Sequence, residues 1–319
     1  MITLHERNGL PTFAAEDALP IVDAHHHLWD LDNGRYPWLQ DAYHEDFFLG
    51  DYHSLCRDFL PEDFLALTAK QRLVGTVHIE AERARDEQVA ETRWLEQVNA
   101  RYGFPNAIVA HAWFDREDSA QILAAQAARP LVKGIRSKPV TSTSPEVSIA
   151  GAKGTMQDPK WLEGFARLAD HDLSWDLRVP PWHLGEAAEV AAMFPQIRIA
   201  LNHCGFAWDR SPQGMDRWRK GLEALALQPN VHIKLSEFGL KDSPWRYDDN
   251  RIVVLTALEI FGSERCMFAS NFPVAGLRAS YDTIADGMAA MLAPLGRTVQ
   301  EAVFAGNARR FYRLEEQHG

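Results

Sequence analysis

The segment Asp23-Ala24-His25-His26-His27 places three imidazoles within five residues. On an extended strand, alternate side chains share a face. His25 and His27 then project together, with Asp23 below them and His26 opposite. Two imidazoles on one face can bind a divalent metal, most readily Zn²⁺, or polarise a carbonyl directly. His26, on the other face, reads as structural. A further histidine lies in Leu201-Asn202-His203-Cys204-Gly205, beside a glycine turn. It suits a third metal ligand or a carbonyl-polarising group.

Polar residues close most of the other apolar runs. They are His78 with Glu80, Arg136 with Lys138, Asp176 with Arg178, Lys234 with Ser236, and Ser270 with Asn271. Any one of them could be a surface group or half of an internal ion pair. Their joint recurrence points to a shared site. His78 and Glu80 stand two apart and should share a face. Arg136, Lys138, Arg178 and Lys234 would bring four cations to that site. That suits a small, carboxylate-bearing substrate, because a guanidinium can grip a carboxylate through two hydrogen bonds.

The elements that must position these groups are short apolar runs. They are Ile21 to Ala24, Leu73 to Ile79, Ala107 to Phe114, Leu131 to Ile135, Leu173 to Val179, Ile197 to Leu201, Val231 to Leu235 and Cys266 to Ala269. Amphipathic stretches separate most of them. Asp158-Pro159 and Ser211-Pro212 are helix-start signals, a capping side chain followed by proline in the first turn. Leu184 to Phe194 and Asn250 to Phe261 are patterned as helices, closed by Pro195 and Gly262. Alternation of this kind predicts an α/β chain with a parallel sheet, and eight units predict a single-domain (β/α)₈ TIM barrel. Catalytic groups in that architecture collect at the C-terminal strand ends. Two connections are long, Asp30 to Arg72 and Arg136 to Lys160, and from the first Trp38 is expected to line a pocket. No G-x-G-x-x-G follows a strand, so the dinucleotide-binding alternative lacks its phosphate loop.

Composition narrows the partners. Lys and Arg total 33 against 44 Asp and Glu, a formal charge of -11. Nucleic acid and anionic membranes reward basic surfaces and are therefore not expected. Cys56, Cys204 and Cys266 are scattered, so no disulfide framework is expected and a reducing, cytoplasmic compartment fits. Cys204 and Cys266 read as buried residues of strand-like runs. The first twenty residues carry Glu6, Arg7, Glu16 and Asp17 and no apolar core, which argues against a signal peptide. Homo-oligomers are compatible with this reading, although no interface is legible.

Several segments together resemble the amidohydrolase superfamily, in its amidohydrolase-2 branch of TIM-barrel hydrolases. They are IVDAHHHLWD, YPWL at Tyr36 to Leu39, VKGIRSKP at Val132 to Pro139, LNHCG, VHIKLSEFG, MFASNFPV and GNARRFYRL. That branch includes sugar-lactone and pyrone-dicarboxylate lactonases, some working with zinc and some without a bound metal. The resemblance implies that His25 and His27 form the first-strand pair, that His203 is the sixth-strand histidine, and that Arg136 contacts substrate.

The eighth strand departs from the branch's usual Ser-Asp-Trp-Pro, in which the aspartate is the general base. Here it reads Ser270-Asn271-Phe272-Pro273. A neutral amide cannot accept that proton. Glu80 is the first replacement considered, followed by His78, His203 and Glu237, the last having the wrong parity relative to Lys234 and Ser236 unless the strand has already ended. The leading function is hydrolysis of a small anionic lactone. A metal-dependent decarboxylase of an unsaturated or aromatic acid is the second reading. A ligand-binding barrel impaired by Asn271 is the third.

Overall fold

Period-two alternation of apolar residues makes strands, and crossover helices make them parallel. A computed structural model of the chain describes residues 9–10, 13–15 and 17–314. Glu6, Arg7 and Glu16, read above for targeting, lie outside them. The strands are β1 (Pro20–His26), β2 (Arg72–Ile79), β3 (Ala107–His111), β4 (Val132–Arg136), β5 (Ser174–Leu177), β6 (Ile199–Leu201), β7 (Val231–Leu235) and β8 (Cys266–Phe268). They pair in parallel in chain order, the pattern of a TIM barrel. The last strand returns to the first. His27 N–H donates to the Phe272 carbonyl at 2.8 Å and Asn271 N–H to the His25 carbonyl at 2.7 Å.

All eight expected strands are present, with different ends. β1 runs on through His26, while β3 stops at His111 and leaves Trp113 and Phe114 in a turn. β5, β6 and β8 are also shorter than their apolar runs. Apolar residues continue past the hydrogen-bonded ladder because they pack beneath the loops. Cys204 is correspondingly not a strand residue. It sits buried in a turn after β6 with φ 50°, whereas Cys266 does open β8.

The helix signals correspond to real caps. The Asp158 side chain accepts from Lys160 N–H, and that of Ser211 from Gly214 N–H. The helix Pro159–Ala166 buries Trp161 and Phe165 against Trp175 of β5. Leu168 and Ala169 lie beyond its end. The helix Tyr247–Phe261 starts one turn earlier than expected and stops at Gly262, whose φ of 76° suits glycine.

The barrel interior has two layers. Val22, Ala24, Val77, Ile79, Ala107, Val109, Ala200, Met267 and Ala269 form one apolar cluster with Ala305, Ala308, Phe311 and Tyr312. The C-terminal helix Asn307–Tyr312 thereby packs against the barrel's inner residues, with Phe311 touching His232 near the start of β7. Next to this cluster, Asp176 of β5 binds Lys234 of β7, and both side chains are fully buried. Asp176 also accepts from Tyr312 O–H and Asn202 Nδ2, each at 3.0 Å.

This pairing corrects the expectation that Lys234 binds substrate. The structure closes it off with Asp176, and burial draws its ammonium down to about 8 against the opposing pull of that carboxylate. Removing one member of a buried pair strands the other. Lys234→Met is expected to lower unfolding free energy by about 3–5 kcal/mol in denaturant titration. A variant of unchanged stability with a raised KM would return Lys234 to the substrate.

Candidate active site

Sequence alternation holds for His25, His26 and His27 but fails for Asp23. The register of β1 against β2 shifts between Asp23 and His26. Such a bulge changes the phase of the side chains. Asp23 accepts from Tyr281 O–H at 3.3 Å, and the Tyr281 ring packs on Phe64. His26 stacks on that same Phe64 with ring centres 4.3 Å apart. Asp23 is therefore on the side of His26, not below His25 and His27. It ties β1 to β8 by accepting from Ser270 N–H at 2.9 Å.

His25, His27 and His203 do converge. The His25 ring centre is 5.0 Å from that of His27 and 4.5 Å from that of His203. Burial is the main cause that holds all three well below the ordinary imidazole range. Arg136 adds to it at His27, and Arg178 and Arg136 at His203. They are neutral at physiological pH. His27 Nδ1 donates to the Ile79 carbonyl at 2.8 Å, which leaves its Nε2 as a lone pair. His203 Nδ1 meets the Ser236 hydroxyl at 3.0 Å. Both His25 ring nitrogens are buried without a partner among the described residues.

These neutral imidazoles have the right chemistry for a divalent metal, and the unpartnered His25 nitrogens invite one. Their arrangement does not complete a site. Among the described residues, no three His, Cys, Asp or Glu side chains stand together as a ligand set. His27 and His203 each hold one nitrogen on a protein partner, as ligating imidazoles do, but the eighth strand supplies a neutral amide in place of a carboxylate ligand. The expected trio His25, His27 and His203 is therefore not assembled for zinc, and no step below is routed through a metal.

The pocket at this end of the barrel has a volume of about 60 Å³. Its wall includes His27, His203, Asn271, Arg136, Arg178 and Glu82. Trp38, Phe47 and Phe48 from the long first connection and Val274 complete it on the apolar side. Trp38 was expected there. Phe47 and Phe48 join it, and nothing in their spacing along the sequence marks them for the site.

The cations divide into committed and uncommitted groups. Arg136 donates through Nε to Glu80 Oε1 and through Nη2 to the Glu80 carbonyl, each at 2.5 Å. Burial would raise the Glu80 carboxyl, but Arg136, His111 and Lys138 hold it well below the usual carboxylate range. Arg136 occupies the Glu80 carboxylate, and Glu80 does not line the pocket. His78 does not line it either. Its Nε2 accepts from Leu28 N–H at 2.9 Å, so β2's two polar residues part company where the strand ends. Lys138 pairs with Glu82 and lines an adjoining cavity. Arg178 is different. Its guanidinium lies 5.1 Å from the Phe206 ring centre and 5.8 Å from that of Phe48. Burial lowers it to about 10, which leaves it charged, and among the described residues it makes no ion pair.

Glu237 is the residue that alternation demoted. β7 ends at Leu235, and Glu237 follows with φ 49°. A left-handed residue redirects its side chain, so parity no longer applies. Glu237 Oε2 accepts from Asn271 Nδ2 at 2.5 Å. Burial pushes the carboxyl up to about 7, against the lowering effect of that bond. Asn271 Oδ1 in turn stands 3.3 Å from His27 Nε2. In this orientation two lone pairs face each other. The reversed amide would donate to His27 and accept from protonated Glu237. The proton on Glu237 therefore selects the orientation of Asn271.

The amidohydrolase family model matches residues 22–314. The chain is 36% identical over 296 residues to the uncharacterized protein y4mH of Sinorhizobium fredii, covering 93% of this chain and 99% of that one. It is 27% identical over 307 residues to an L-fucono-1,5-lactonase of Burkholderia ambifaria, covering 93% and 97% respectively. Among solved structures, an amidohydrolase of Burkholderia multivorans with bound zinc superposes with a TM-score of 0.74 at 25% identity, over 92% of this chain and 99% of that one. A barrel of eight parallel strands, a histidine-lined pocket at its closing seam and a match spanning nearly every strand agree: the chain belongs to the amidohydrolase family of hydrolases.

Proposed function

We propose that the chain hydrolyses a small, carboxylate-bearing lactone, with His203 as proton acceptor and Arg178 as the group that grips the carboxylate. The observation that carries this reading is the pairing, in one pocket, of a neutral histidine with a guanidinium that makes no direct ion pair among the described residues. Similarity to L-fucono-1,5-lactonases supports the ester class.

In this scheme a water molecule loses a proton to His203 Nε2 as its oxygen adds to the lactone carbonyl carbon. Ser236 fixes the ring from the other side. The oxyanion develops beside Arg136, whose charge Glu80 holds in place by two hydrogen bonds. Collapse breaks the ring C–O bond, and the protonated His203 returns its proton to the departing alkoxide. The product is a hydroxy acid. Asn271 orients groups around His27 and transfers no proton. His25 lies beneath the pocket wall and takes no direct part.

A panel of sugar and muconate-type lactones tests the reaction. Turnover of none of them would remove the lactonase reading. On a turned-over member, His203→Ala is expected to lower kcat by about 10²–10⁴-fold. Asn271→Ala should cost less than about tenfold, since the acceptor lies elsewhere. Equal losses in both variants would contradict that assignment. Arg178→Met should raise KM for an anionic lactone by about 10–100-fold and leave a neutral one nearly unchanged.

Glu237 gives a pH signature. Its folded-state value of about 7 exceeds the ordinary 4.5. Between those values the folded chain holds a proton that the unfolded chain has lost, so this group's contribution to stability falls as pH rises. Glu237→Gln removes that dependence. Relative to the wild type, the variant's Tm is expected to rise by about 5 °C between pH 4.5 and pH 8. A constant difference across that window would show that Glu237 titrates normally.

A further inference from the structure

Two more cavities lie alongside the catalytic pocket. The first, of about 390 Å³, shares Trp38 and Glu82 with it. The second, of about 320 Å³, shares Arg85, Trp113 and Lys138 with the first. Common walls place the three cavities side by side, with the catalytic pocket at one end.

Two wall residues of the middle chamber have a ring nitrogen without a hydrogen-bond partner among the described residues. His111 is nearly sealed from solvent, and its Nδ1 is 3.8 Å from Glu80 Oε2, too far for a hydrogen bond. Trp113 Nε1 is buried and donates to no group among the described residues. Unpaired buried donors and acceptors are costly, which marks this wall as unlike the rest of the core.

The outer chamber reverses the sign of the protein. The chain carries a formal charge of -11, yet this cavity gathers Arg85, Arg116, Lys138, Lys153 and Lys160 against Asp115 and Glu117. Arg116 is committed to Asp118, and Lys138 to Glu82. Arg85, Lys153 and Lys160 have no carboxylate partner among the described residues. Arg85 lies over the Trp113 ring, 3.9 Å from its centre, which orients the guanidinium at the junction of the two chambers. A stacked, oriented guanidinium that shares a cavity wall with two exposed ammonium groups suits a carboxylate.

We infer that the catalytic pocket is the inner end of a longer site, and that its lactone carries a second carboxylate on a polar tail held by Arg85, Lys153 and Lys160. This inference rests on the proposed lactone hydrolysis and assigns the distal half of that substrate. Arg178 holds the group nearest the ring, the middle chamber hydrogen-bonds the tail, and the outer cations set its length and charge.

The experiment uses two ligand series of increasing chain length, α,ω-dicarboxylates and the matching monocarboxylates, with affinities read by calorimetry. At the length that bridges the chambers, the dicarboxylate is expected to bind about tenfold or more tightly than its monocarboxylate. That advantage should shrink at high salt. The variant combining Arg85→Gln, Lys153→Gln and Lys160→Gln should erase the advantage while keeping the monocarboxylate affinity and the wild-type Tm. If the second carboxylate helps at no length, or its advantage survives in the triple variant, the inference is overturned. The two readings fail separately. Lactone turnover without a tail advantage removes the distal site alone. A tail advantage without turnover of any lactone supports the distal site and removes the hydrolytic reading.

Discussion

The site depends on how the barrel closes. Two backbone hydrogen bonds, His27 N–H to the Phe272 carbonyl and Asn271 N–H to the His25 carbonyl, join the first strand to the segment after the last. A sheet of eight parallel strands has unpaired edges unless its ends meet. Here the seam falls where both ends carry chemistry. It brings His27 and Asn271 within 3.3 Å although 244 residues separate them in the chain. Asn271 carries the seam onward to Glu237, and the neighbouring residue Ser236 to His203. Two of the site's polar groups, His27 and Asn271, thus inherit their positions from backbone pairing, and side-chain hydrogen bonds carry the order on to Glu237 and His203.

The second constraint is charge. A barrel interior tolerates charges only in pairs. Asp176 takes Lys234, and Glu80 takes Arg136. What remains at the pocket is an imidazole group kept neutral by burial and neighbouring guanidinium groups, together with Arg178, which leans on aromatic rings instead of a carboxylate. Fixed cations around a neutral base suit a reaction in which an anionic substrate enters and negative charge develops on an oxygen. An acidic surface surrounds this positive interior, so the attraction for an anion is local to the cavities.

Much of this was legible in the residue order. Eight apolar runs give eight strands because buried parallel strands read as short apolar stretches. Capping pairs such as Asp158-Pro159 work through local hydrogen bonds, which makes them readable without tertiary context. The convergence of His25, His27 and His203 follows from strand-end placement. The failures occur where the backbone stops being regular. Glu237, His203 and Asn271 all have positive φ, so counting by twos misplaces or misreads their side chains. The bulge in β1 reverses Asp23 for the same reason. Partners form a second kind of failure. Nothing in the spacing of Glu80 or Lys234 reveals Arg136 or Asp176, which are brought to them by the register of other strands.

In the proposed reaction His203 is a neutral base in a cationic pocket. Nitrogen NMR of the histidine rings, recorded against pH, observes this directly. His203 and His27 are expected to stay neutral through pH 6.5, the ordinary imidazole midpoint, with His27 protonated on Nδ1. If His203 instead stays protonated at the pH where the lactone is turned over, it has no lone pair for the proton of water, and the proposed proton acceptor is wrong.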